Sequence, residues 1–487
     1  MMHANRSSVV VRLRKALLPW VLLAGCPVAL AAAGAGAPAS EDGMPRRLVL
    51  ALDGIPFDVF IELQSEGHFR QFHPAARMVS TFPSLSEVAF AAIGGGDPPD
   101  GYQFVRYDPA SNRVVGTTIA SLNGRAHPKI AADSSGDSIP HRVLGYVASY
   151  STAIRDLRQI ERELMASRKH DFVAYLGTSD PLVHLQGREG TRRFLLWLDD
   201  YLAQLQEKTL RRTGRYLQVD LVSDHGSTLV RGKVLALERE LAGCGLRRSR
   251  SVAGPGDVVY PKPGIVGSVA LMMAPADADA VARCFARLPG VDLVAVDHDD
   301  SVLVINRDGE ANVRLIEGGL RESFGYRVKS GDPLGLLAWA TASNSAADGE
   351  LQWSASQWFD ATKDSARPDP LRRLWRAFHG SVKHPSKVLV SLSDGYEIGN
   401  PALLALSSLR GRFGTHGSMT RMASLGVIAS NWREIPDVDA WGANEALFGD
   451  TVLARSRRDA DSISGWTIPR SFPSVTSARP TPPASGH

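Results

Sequence analysis

Three short apolar runs in the chain each break off at an aspartate. Arg47-Leu48-Val49-Leu50-Ala51-Leu52 stops at Asp53, Phe172-Val173-Ala174-Tyr175-Leu176 leads to Asp180, and Leu217-Gln218-Val219-Asp220-Leu221-Val222 leads to Asp224. Runs of this length and composition predict buried strands, and open α/β sheets place their chemistry at the carboxyl ends of such strands. Between them lie amphipathic stretches such as Thr191 to Leu202, the rhythm of βαβ units on a largely parallel sheet. This pattern fills residues 47–235. From 236 to 387 the texture changes to a short helical segment ending near Leu241 and strands around Ser268–Met273 and Ser301–Ile305, which predicts an inserted cap. A fresh apolar strand, Val388–Leu392, is expected to return the chain to the parallel sheet, so that 388–464 completes the core.

The ends read differently. Arg6, Arg12, Arg14 and Lys15 precede an apolar segment from Ala16 to Leu30 that ends in small residues, the form of an export signal over 1–31, and too short for a good membrane span. Leu23-Ala24-Gly25-Cys26 also resembles a lipoprotein cleavage box, so membrane attachment is expected only if Cys26 is lipidated. Residues 32–46 read as a linker, and 465–487, rich in Pro and Ser, as a tail unable to bury enough apolar area to order itself. The signal carries four of the 55 Lys and Arg and none of the 51 Asp and Glu, which leaves 51 against 51. Nothing in that balance argues for a nucleic-acid partner, which would need a clustered positive face. The mature chain keeps Cys244 and Cys284; export permits a bridge between them, and two separate buried thiols fit the sequence equally well.

Histidines stand beside two of the three strand-end acids. In Asp180-Pro181-Leu182-Val183-His184 a spacing of four sets both side chains on one side of a helical turn, able to grip one ion. Asp224-His225-Gly226 offers two consecutive ligands that must diverge around a turn, which the glycine permits. His416 lies far downstream in Gly414-Thr415-His416-Gly417-Ser418. Imidazole with carboxylate suits zinc first. Thr81-Phe82-Pro83-Ser84-Leu85-Ser86 precedes the apolar helical run Val88–Ile93, so Ser86 falls at a helix N-terminus, where an anion or alkoxide is favoured.

Taken in order, Leu52-Asp53-Gly54, Phe82-Pro83-Ser84-Leu85-Ser86, Asp180-x-x-x-His184-x-x-Gly187, Ser223-Asp224-His225-Gly226 and Gly414-Thr415-His416-Gly417 resemble the alkaline phosphatase superfamily, in particular its nucleotide pyrophosphatase/phosphodiesterase branch. The resemblance implies a mostly parallel α/β core with an inserted cap and two divalent metal ions, zinc in that family. It puts Asp180, His184 and His416 on one ion, and Asp53, Asp224, His225 and the nucleophile Ser86 on the other. It implies hydrolysis of a small phosphate ester, a diester or pyrophosphate before a monoester, through a phosphoseryl intermediate. Where that branch offers an asparagine after Gly101, this chain has Arg106 as an alternative donor to a non-bridging oxygen, and Tyr175 stands where a carboxylate for a further magnesium-type site is expected. No Cys/Ser-x-Pro-x-Arg segment marks a sulfatase. A phosphomonoesterase, an envelope head-group phosphotransferase of the same fold, and an envelope binding protein with a vestigial metal site are the other readings.

Overall fold

The computed structural model describes residues 43–116, 130–135, 139–262, 264–316, 321–340, 349–401, 404 and 413–449. The expected export signal, Cys26 and the Pro-rich tail lie outside the described residues. Among the described residues no helix is long and apolar enough to cross a membrane.

The chain builds two seven-stranded sheets. In the first, the order is Val438–Asp439, Ala76–Val79, Leu425–Ser430, Gln218–Ser223, Arg47–Leu52, Asp171–Leu176 and Ser134–Ser135. Most of its pairs are parallel; only Leu425–Ser430 runs against its two neighbours. The three acid-bearing strands lie side by side at the centre, with Leu52 in register with both Leu176 and Ser223. Parallel neighbours in that register must end together, so Asp53, Asp180 and Asp224 emerge from one edge. Every residue of Arg47–Leu52 is buried, as expected of a strand covered on both faces. Helices Phe57–Ser65 and Ser179–Thr213 contribute to the covering.

The second sheet is wholly antiparallel, in the order Ser268–Leu271, Val388–Leu392, Val291–Asp297, Val302–Asn306, Gly309–Leu315, Ser323–Gly331 and Leu351–Ser354. It has its own core, in which Leu293, Val304, Phe324, Trp358 and Leu389 are fully buried. Here the structure corrects one expectation. Val388–Leu392 does not rejoin the parallel sheet; it lies between Ser268–Leu271 and Val291–Asp297, and the chain re-enters the first sheet at Leu425. The helix Pro370–Phe378 is amphipathic, burying Leu371, Leu374, Ala377 and Phe378 in this second core. Cys244 and Cys284 are joined by a disulfide, with Cα atoms 6.0 Å apart, tying helix Leu237–Gly243 to helix Ala278–Phe285.

Candidate metal centre

The three strand ends converge with two distant segments. Asp53 follows its strand directly, and the backbone N–H groups of Gly54 and Ile55 donate to Asp224 Oδ1 (3.0 Å) and Ser223 Oγ (2.8 Å), stitching the two turns together. Gly54 has φ +72°, and a Cβ there would lie 2.8 Å from Asp180 Oδ1, so only glycine fits. Asp180 and His184 occupy the first turns of Ser179–Thr213, ahead of the kink at Gly187, with His184 Nε2 3.2 Å from Asp180 Oδ1. Gly226 serves otherwise than expected: its φ is not positive, and the demand is one of space, because a Cβ would come within 2.2 Å of the Met422 carbonyl. Ser86 begins the helix Ser86–Gly94, as its sequence position predicts.

Ser86 Oγ donates to Asp53 Oδ1 at 3.0 Å and lies 3.2 Å from His225 Nε2. His416 Nε2 is 3.8 Å from Asp180 Oδ1, and its ring stacks on that of His225 with centroids 3.8 Å apart. Each histidine turns its other nitrogen onto a backbone carbonyl: His184 Nδ1 onto Gly414 (2.6 Å), His416 Nδ1 onto Ser84 (2.8 Å) and His225 Nδ1 onto Gly226 (2.9 Å). A carbonyl can only accept, so Nδ1 carries the hydrogen and Nε2 is left as the inward-facing donor atom.

Two sets of donor atoms lie within 4.8 Å of one another: Asp180, His184 and His416, and Asp53, Asp180 and His225. Asp180 is common to both. Asp224 stands beside the second set, its Oδ2 3.3 Å from His225 Nε2, fully buried and accepting no hydrogen bond. A buried carboxylate oxygen without a hydrogen bond is costly unless a cation sits against it. The residues present therefore fit divalent cations.

The electrostatics point the same way. Two carboxylates about 4 Å apart repel by about 4 kcal/mol at an effective dielectric constant of about 20. Burial pushes Asp53 and Asp224 up from the usual carboxylate range, and Asp224 is raised further by the charge on Asp53. His225 is opposed by burial yet pushed up to about 10, because Asp224, Asp53 and Asp180 surround it. Burial, aided by the charge of His225, holds His416 down at about 3. Burial works against the Asp180 charge too, but His184 and His416 outweigh it and hold its pKa low. Without a metal, the three acids have, among the described residues, only the imidazole rings to offset them; two divalent ions would supply four positive charges.

Arg106 is not brought to Ser86 by any hydrogen bond among the described residues. Its guanidinium donates to Asp100 Oδ2 at 3.1 Å, in a cleft also lined by Pro83, Leu85, Tyr102, Tyr107 and Met272. Tyr175 is expected only as the residue that replaces a carboxylate of a further magnesium-type site. Its hydroxyl donates to Asp53 Oδ2 at 2.5 Å, its ring stands edge-on to Phe90, and it leaves Asp53 Oδ1 for Ser86.

No protein-family model matches the chain, and no curated protein matches it. Several solved structures do. Human ectonucleotide pyrophosphatase/phosphodiesterase 5 is 11% identical with a TM-score of 0.43, over 83% of this chain and 94% of that one. An inactive murine form of the same protein, in complex with AMP, is 11% identical with a TM-score of 0.46 over the same shares. Phosphonoacetate hydrolase from Sinorhizobium meliloti 1021, in complex with phosphonoformate, is 12% identical with a TM-score of 0.43, over 82% of this chain and 95% of that one.

Proposed function

We propose that the chain is an exported two-metal hydrolase of the alkaline phosphatase kind, cleaving phosphodiester or pyrophosphate bonds in a small organic substrate with Ser86 as nucleophile. The observation that carries this is the position of Ser86 Oγ, 3.0 Å from Asp53 Oδ1 and 3.2 Å from His225 Nε2, beside a second acid–imidazole set that shares Asp180. Asp180, His184 and His416 would hold one ion, and Asp53, Asp224 and His225 the other, with Asp180 near both. Two such cations, zinc first for this donor set, would lower the pKa of the Ser86 hydroxyl and offset charge on the attacking and leaving oxygens.

Ser86 gives its proton to solvent and its Oγ attacks phosphorus as the P–O bond to the leaving alkoxide breaks. The alkoxide takes a proton from solvent, and water then attacks phosphorus, breaking the Oγ–P bond to free the phosphate product and restore the Ser86 hydroxyl. The helix that starts at Ser86 directs its positive end at the developing charge. Tyr175 keeps the Asp53 carboxylate turned, so that Oδ1 faces the reacting oxygen. Pro83 and Leu85, in the loop that leads into Ser86, line a small, mainly apolar cleft, a wall that suits an organic ester group better than inorganic phosphate. The Cys244–Cys284 bridge supports export, since such bonds persist in oxidising compartments.

The test is a rate comparison on bis(p-nitrophenyl) phosphate and p-nitrophenyl phosphate, with mass spectrometry of acid-quenched protein. Faster diester turnover and a phosphorylated Ser86 peptide are expected. Turnover of neither compound by zinc-loaded protein would overturn the reading.

A further inference from the structure

Arg373 is a fully buried arginine on the helix Pro370–Phe378, which belongs to the second core, yet its guanidinium reaches out of that core. Nη2 donates to the Thr81 carbonyl (3.1 Å) and Ser424 Oγ (2.7 Å), and Nη1 to the carbonyls of Pro368 (2.8 Å) and Met419 (3.5 Å). Thr81 opens the loop that ends at Ser86. Met419 closes the loop that carries His416. The two loops also meet directly: His416 Nδ1 lies on the Ser84 carbonyl, Gly417 N–H donates to Ser84 Oγ, and Ser84 Oγ donates to the Ser418 carbonyl. One planar cation thus spans both loops from behind, in the fork geometry that arginine alone supplies. Asp369, equally buried, is the acid that acts on its charge.

We propose that Arg373 is a positioning residue: the antiparallel domain uses it to fix the spacing between the serine loop and the His416 loop, and so between Ser86 and the ion-binding set. This deepens the two-metal reading and rests on its metal site; only the kinetic readout also needs the proposed hydrolysis. Lysine at 373 would keep the charge but could not reach four acceptors from one plane.

The experiment compares Arg373→Lys with Arg372→Lys, whose partners Asp439 and Glu322 belong to neither loop. Each variant is measured for melting temperature, zinc dissociation constant by chelator competition, and kcat and KM on bis(p-nitrophenyl) phosphate at saturating zinc. Arg373→Lys should weaken zinc binding about 10-fold and lower kcat about 10- to 100-fold, with KM within about twofold of the parent. Arg372→Lys should leave zinc affinity and kcat unchanged, whatever it does to melting. Should Arg373→Lys fail to fold, Ser424→Ala removes one acceptor and should move zinc affinity and kcat in the same direction by about threefold. Wild-type zinc affinity and kcat in Arg373→Lys or, failing that, in Ser424→Ala would overturn the proposal, as would equal effects in Arg372→Lys. A parent protein without esterase activity would count against the proposed function alone, because zinc affinity still tests the clamp.

Discussion

The two sheets are equal in strand number and opposite in use. In the parallel sheet, the strands Arg47–Leu52, Asp171–Leu176 and Gln218–Ser223 end at one edge, so three acids placed after three strands become neighbours without further design. In the antiparallel sheet successive strands end at opposite edges, so the same placement would scatter them. Among the described residues, both candidate metal groups draw only on the first sheet's ends and the His416 loop. The second sheet provides a separate apolar core and, through Arg373, a brace. The contrast teaches that strand direction, more than strand composition, decides where a sheet can collect charge.

Substitutions can break or sharpen this contrast. The largest effect belongs to Ser86→Ala at the parallel sheet's edge: diester turnover should fall on the order of 10³-fold while zinc content persists. Parent-like rates would remove Ser86 from the chemistry. Asp180→Asn comes next, because Asp180 belongs to both donor sets; elemental analysis should find it poorer in zinc than either His184→Ala or Asp53→Asn. If all three lose the same single ion, the shared role of Asp180 is wrong. In the other sheet, Leu389→Ala should cost about 2–5 kcal/mol of unfolding free energy in urea titration, with zinc content unchanged. A loss of zinc there would mean that the two halves are not separable. Tyr175→Phe should have the smallest effect, a fall in kcat of roughly tenfold, since Asp53 Oδ2 then loses its hydrogen bond while Asp53 stays in place. An unaltered kcat would make Tyr175 a packing residue only.

Much of the first sheet is legible in the sequence, since fully buried strands appear as unbroken apolar runs and a following acid marks the carboxyl end. The spacing of Asp180 and His184 also reads correctly as one face of a helix. Three features escape for distinct reasons. Val388–Leu392 is misassigned because a strand buried on both faces has the same composition in either kind of sheet. Tyr175 looks like one more apolar residue of its strand, and only the fold turns its hydroxyl toward Asp53. Arg373 is hidden similarly: beside Arg372 and Arg376 it suggests a solvated helix face, whereas it alone of the three is fully buried.

Everything proposed for the site depends on Asp53, Asp180, His184, Asp224, His225 and His416 together holding a pair of cations. Elemental analysis of the purified protein, after dialysis against metal-free buffer, tests it most directly. About two zinc per chain are expected, falling to about one in His416→Ala. A parent protein that retains no divalent metal, or a His416→Ala variant that keeps both ions, would contradict it.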